Sequence, residues 1–81
     1  MEVAKGLYRH FKGNLYRVIN TATHTETYER FVIYYNVTDP DDYFARPISN
    51  FLETVLLDNK EVPRFTREVE DNERNSNLQE S

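Results

Sequence analysis

Cysteine is absent from the 81-residue chain, so no disulfide framework and no thiolate metal site exists. That excludes the disulfide-rich secreted class and fits a reducing compartment, so the expectation is a cytoplasmic protein. Tryptophan is also absent, and there are only two glycines and three prolines. No glycine-rich phosphate loop, dinucleotide fingerprint or nucleophile motif is present. No apolar run approaches the roughly 20 residues needed to span a bilayer. The opening residues Met1-Glu2-Val3-Ala4-Lys5 lack the apolar stretch of a signal peptide. No membrane partner is expected.

What is present is aromatic. Apolar residues make up 38 % of the chain and aromatic residues alone 14 %. Each aromatic buries far more surface than an aliphatic side chain, so a chain this short can form one compact core, but not two.

The net charge of −4 is unevenly distributed. Between Glu68 and Ser81 the acids Glu68, Glu70, Asp71, Glu73 and Glu80 face a single base, Arg74. The segment from Met1 to Arg67 is neutral. Within it, Lys5 to Thr25 carries Lys5, Arg9, Lys12 and Arg17 and no acid, with His10 and His24 in addition. The division implies a single small β domain over 1–67 and an acidic tail over 68–81 that reads as disordered or as a frayed helix.

Within the stretch Gly6-Leu7-Tyr8-Arg9-His10-Phe11-Lys12-Gly13, Leu7, Arg9 and Phe11 alternate with Tyr8 and His10 as a short strand with aromatics on both faces. Gly13-Asn14 predicts a tight hairpin turn into a second strand, Leu15 to Thr23. Its alternation slips near Ile19-Asn20, which predicts a bulge. A polar turn over His24 to Glu29 follows. Arg30 to Thr38 is then the strongest strand, with Phe31, Ile33, Tyr35 and Val37 expected inward, although Val32 and Tyr34 on the other face are apolar too. Asp39-Pro40-Asp41-Asp42 reads as a turn. Tyr43 to Arg46 forms a short strand closed by Pro47, and Ser49 to Glu53 a single helical turn of 3₁₀ type with its own cap. Thr54 to Leu57 is a further strand, and Glu61 to Phe65 an extended segment anchored by Val62 and Phe65. The fold class expected is mainly β: a small, strongly bent antiparallel sheet or SH3-like barrel of about five strands with one short helical turn.

Several stretches occur together in order: Gly6-x-Tyr8-Arg9-His10-Phe11-Lys12-Gly13, Tyr16-x-Val18, Ala22-x-His24-x-Glu26-Thr27-x-Glu29, Val32-x-Tyr34, Arg46-Pro47, Phe51-x-Glu53 and Pro63-Arg64-Phe65. Through them the chain resembles the bacterial domain-of-unknown-function family 1653 from about Lys5 to Phe65. The resemblance implies a stand-alone cytoplasmic domain of small β type with no established activity. Two local departures from the family are the acidic loop Asp39-Pro40-Asp41-Asp42, where glycine tends to occur, and Tyr43-Phe44-Ala45, where tryptophan is common.

The residues rank the functional classes. Metal binding requires three or more converging ligands, and only His10, His24, Glu26 and Glu29 are on offer. Acid–base work by His10 with Glu26 or Glu53 is chemically feasible, yet a chain of this length encloses little volume from water. No catalytic residue, metal or cofactor is therefore assigned, and an enzyme or metal-binding domain built on His10, His24 and Glu26 ranks last. A non-catalytic binding module ranks first, with nucleic acid or nucleotide as its ligand. Arg9, Lys12 and Arg17 interleave with Tyr8, Phe11 and Tyr16, as cations and stacking rings do in small single-strand-binding barrels. The ligand-binding residues expected are Arg9, His10, Lys12, Tyr16, Arg17 and Arg46. Arg46 has a second reading as the clamp of a carboxylate such as Glu26 or Glu53. The alternative function is a protein-interaction or homodimerisation module using the Phe31–Tyr35 strand or its edge.

Overall fold

The computed structural model describes residues 2–68; the expectation of a disordered acidic tail lies, from residue 69 on, outside the described residues. Seven strands and one helical turn follow one another: β1 (Gly6–His10), β2 (Leu15–Thr23), β3 (Arg30–Asn36), β4 (Tyr43–Pro47), α1 (Ile48–Phe51), β5 (Thr54–Leu57), β6 (Lys60–Pro63) and β7 (Phe65–Arg67). Five of them form an antiparallel sheet in the order β4-β3-β2-β1-β7, and β5 and β6 form a separate hairpin. The fold is mainly β, and the sheet does not close into a barrel, because β4 and β7 remain its two edges.

The turns follow the local chemistry. Between β1 and β2 the chain reverses through Gly13 at φ 110°, a value that suits glycine, and the Gly13 amide donates to the His10 carbonyl at 2.7 Å. The bulge falls between Val18 and Asn20. The β5–β6 turn places Asp58 and Asn59 at φ 52° and 66°, as a type I′ hairpin requires. The helical turn differs from the expected 3₁₀ form: Leu52 N–H donates to the Ile48 carbonyl at 3.0 Å, an α-type bond. Pro47 occupies the N-cap with no side-chain cap. Its fixed φ suits helix entry, so the turn starts one residue earlier than Ser49 suggests.

The inward face of β3 is the reverse of the sequence expectation. Val32 and Tyr34 are 0 % and 4 % exposed, whereas Phe31, Ile33 and Tyr35 lie half-buried on the opposite face and Val37 is exposed. Both faces of this strand are apolar, so period two alone could not choose between them. The face that α1 and β7 cover became the core. Val3, Tyr8, Val18, Val32, Tyr34, Ile48, Phe51 and Phe65 make up that core, with Tyr16 packed against it.

Phe65 is its hub. The ring stacks on Phe51 at 4.1 Å with 5° between planes, and meets His10, Tyr16 and Tyr34 edge-on at 5.0, 5.8 and 5.7 Å. The Arg46 guanidinium lies over the same ring at 5.6 Å. Arg46 belongs to one edge strand and Phe65 to the other, so the sheet is bent until its edges meet through side chains. Phe51→Ala and Phe65→Ala should each cost about 3–5 kcal/mol, while Ile33→Ala on the outer face should cost less than about 2 kcal/mol, the lower end of the range for buried isoleucine. Urea denaturation of the three variants checks this; equal losses at Ile33 and Phe51 would contradict the assigned faces.

Candidate functional site

Neighbouring residues on a strand point to opposite faces, and this divides the expected cationic surface. Tyr8 pairs with Tyr16 and Leu7 with Arg17, so His10, Tyr8 and Tyr16 share the inner face while Arg9 and Arg17 share the outer one. Arg9 is engaged there: Nε donates to Glu68 Oε2 at 3.1 Å and Nη1 to the Gly13 carbonyl at 2.8 Å. The Glu68 amide also donates to the Leu7 carbonyl at 2.9 Å, so this first residue beyond β7 continues the sheet's hydrogen bonding. Lys12 sits in the β1–β2 turn with its ammonium 5.8 Å from the centre of the Phe11 ring.

On the inner face a different group assembles. Val32 pairs with Arg46, which turns Arg46 inward across the core. Its Nε donates to the Tyr34 hydroxyl at 2.9 Å, and its Nη1 donates to Asn50 Oδ1. Both partners are neutral, so among the described residues no carboxylate clamps Arg46. Glu53 pairs with Arg64 instead, Nη2 to Oε1 at 2.8 Å, and Glu26 lies in the β2–β3 turn. Arg64 escaped the sequence reading of the site, although it stands in the Pro63-Arg64-Phe65 triplet. It occupies the bend between β6 and β7, where its amide donates to the Glu53 carbonyl and its carbonyl accepts from Phe11. Its Nε is buried and has no hydrogen-bond partner, an arrangement that costs ~1–3 kcal/mol.

His10 reports on this group. Its imidazole touches Phe11 and Tyr16 besides Phe65. Burial lowers its pKa below the ordinary histidine value, and the positive charges of Arg46, Lys12 and Arg64 lower it further. The Lys12 amide donates to His10 Nδ1 at 3.2 Å, so the neutral ring carries its proton on Nε2. Arg46 and His10 thus share the aromatic hub, and Arg64 and Lys12 lie near enough to act on His10, with Glu53 paired to Arg64. The cluster can hold an anion by charge-assisted hydrogen bonds, and Tyr16 and Phe44 offer ring surface beside it.

The metal alternative does not assemble among the described residues. His10 precedes β2 and His24 follows it, at opposite ends of a nine-residue strand that spans about 30 Å. His24 Nδ1 accepts from the amides of Glu26 and Thr27 at 3.2 and 3.3 Å, which makes it a turn cap. Among the described residues no three potential ligands converge.

The model of a protein family described as "Protein of unknown function (DUF1653)" matches residues 6–67. The chain belongs to this family. A crystal structure of a DUF1653 protein from Bordetella bronchiseptica is 27 % identical and superposes with a TM-score of 0.72, over 86 % of this chain and 96 % of that one. No curated protein matches the chain. Within this DUF1653 domain, Tyr8-Arg9-His10-Phe11-Lys12, Arg46-Pro47 and Pro63-Arg64-Phe65 are far apart in sequence and meet at the cationic cluster.

The lowered pKa of His10 has a defined sign. The unfolded chain takes up this proton more readily than the fold does, so the group's contribution to stability is complete above about pH 6.5, the unfolded value. It is lost as pH falls from there through the folded pKa. An NMR pH titration of His10 should show a midpoint below 6.5, and Arg46→Gln should raise it by removing a nearby cation. A midpoint unmoved in that variant would place Arg46 outside the field His10 feels.

Proposed function

We propose that this domain is a non-catalytic binding module for a phosphate-bearing ligand, of the nucleic-acid or nucleotide class, and that His10, Lys12, Arg46 and Arg64 bind the phosphate. The observation carrying this reading is Arg46: a guanidinium held in place by two neutral oxygens and one aromatic ring keeps its charge available to an anion. Tyr16 and Phe44 supply rings against which a base can stack. Arg9 and Arg17 lie on the other face and are not part of this site. We place the protein in the cytoplasm on its cysteine-free composition, and we read the bent sheet as an open counterpart of SH3-like barrels.

A heteronuclear NMR titration with short single-stranded RNA, single-stranded DNA and nucleotides at low salt tests the reading. Amide shifts should concentrate at His10, Lys12, Arg46 and Arg64. Arg64→Gln should weaken binding by about tenfold or more, the loss of one charge-assisted hydrogen bond. Affinity should fall steeply with added salt. Unchanged spectra with every ligand in excess would remove the proposal.

A second reading, contact with a protein partner or a second copy, is favoured by the outer face of the sheet. β3 has neighbours on both sides, so its edge is not free to pair and only its face is available. There Phe31, Ile33 and Ala45 line a shallow cleft of about 210 Å³ together with Ala22, Thr23 and His24, and Tyr35 stacks on the exposed Tyr43 at 5.7 Å. Self-association through this face would appear as a dimer in sedimentation equilibrium, insensitive to salt and abolished by Ile33→Asp. A strict monomer at high concentration would exclude the second-copy form.

A further inference from the structure

The positive charge of the inner face is a spot, not a stripe. Arg46 and His10 both abut the Phe65 ring, at 5.6 and 5.0 Å, and Arg64 is the residue next to it. Lys12 is near enough, with these two arginines, to lower the His10 pKa. The other inward positions of β2, β3 and β4 include Tyr16, Val18, Val32, Tyr34 and Phe44, which carry no charge. Arg67, further along β7, lies over the Tyr8 ring at 5.8 Å and has its own interactions. Grooves that follow a nucleic-acid backbone line up cations along its length, one phosphate after another. Here Arg46 and His10 meet on one ring, Arg64 and Lys12 lie near enough to act on His10, and among the described residues Glu53 is the carboxylate paired within the group.

That arrangement suits a concentrated charge. A phosphomonoester carries about −1.5 to −2 at neutral pH and presents three acceptor oxygens, whereas each internal diester of a strand carries a single negative charge. We infer that the Arg46–Arg64–His10 cluster takes a terminal phosphate, as found on a nucleoside 5′-monophosphate or on the 5′-phosphorylated end of a strand, in preference to an internal phosphodiester. This rests on the phosphate-binding reading above and narrows it. Arg46 offers Nη2, which has no partner among the described residues, His10 offers Nε2–H, and Arg64 offers a side chain that is 21 % exposed beside its Glu53 pair, its Nε being buried. Three acceptor oxygens on one phosphorus suit two donor groups on one ring, Arg46 and His10, with the charge of Arg64 close by.

The test compares ligands that differ at the phosphate alone. Adenosine 5′-monophosphate, the diester ApA, 5′-phosphorylated pApA, adenosine and inorganic phosphate are titrated into the ¹⁵N-labelled protein at pH 7.5 and low salt. The monophosphate and pApA should bind at least tenfold more tightly than ApA, and adenosine should cause no shift at the cluster. Arg64→Gln should erase the difference, and Lys12→Gln should reduce it. Arg46→Lys keeps the charge but loses the planar fork, and should bind more weakly while keeping the native amide pattern, so the cluster is tested even if Arg46→Gln does not fold. Inorganic phosphate binding as well as the monophosphate supports a terminal-phosphate site and shows that the nucleoside adds nothing. ApA binding as tightly as the monophosphate overturns the preference for a terminal group but leaves phosphate binding standing. No shift with any of the phosphates overturns both.

Discussion

The fold depends on one ring. Phe65 sits on a three-residue strand at the sheet's edge, yet it stacks on Phe51 of the helical turn and touches inward side chains from β1, β2 and β3. A domain of this size buries too small a fraction of its surface for aliphatic packing to be ample. Aromatic side chains compensate by covering large areas with few residues. Each ring on the concave face of the sheet needs a neighbour, and Phe65 is the one that His10, Tyr16, Tyr34 and Phe51 share. Bending the sheet around it is what brings β7 opposite β4.

The same ring ties the candidate site to the core. Arg46 reaches its position because Tyr34, almost fully buried, holds Nε through its hydroxyl, and because Asn50 in the helical turn accepts from Nη1. Its charge is stabilised by a ring face and neutral oxygens rather than by a carboxylate. A carboxylate there would neutralise the guanidinium and tie up its donors. Among the described residues a carboxylate pairs with Arg64 but none with Arg46, and the positive charges of Arg46, Lys12 and Arg64 depress protonation of His10. Burial of the imidazole among Phe11, Tyr16 and Phe65 acts in the same direction. The packing that stabilises the fold therefore also sets the electrostatics of the site.

The local punctuation was legible in the sequence. The slip at Ile19-Asn20 and the Asp39-Pro40 turn each have a mechanism confined to a few residues and stand where expected, whereas the first reversal is centred on Phe11 and Lys12, just before the expected Gly13-Asn14 pair. The inward face of β3 was not legible, because Phe31-Ile33-Tyr35 and Val32-Tyr34 are equally apolar and only the covering elements decide. The expected ligand-binding residues divide between two faces for a reason the sequence did contain: Arg9 and Arg17 share the outer face, and His10 turns inward. Arg9 and His10 are consecutive on a strand, and period two must send them to opposite faces. The company Arg46 keeps was beyond sequence reasoning, since its partners Tyr34 and Asn50 come from elements whose approach depends on the bend of the sheet. Arg64 was visible as part of a triplet, but a residue in a bend has no periodicity to reveal where its side chain goes.

The incomplete closure of the sheet gives the cluster its place. In a closed barrel, β4 and β7 would be joined by a ladder of backbone hydrogen bonds, and the gap that Arg46 bridges would be filled by main chain. Here the two edges meet only through side chains, a guanidinium on one and a phenyl ring on the other. Such a seam needs residues that are long, partly apolar and charged at the tip, and arginine satisfies all three. The cation that completes the packing of the open sheet is thus left half-buried at its rim, beside Arg64 and His10. On the proposed function, the exposed part of Arg46 at this rim is what an anion would meet.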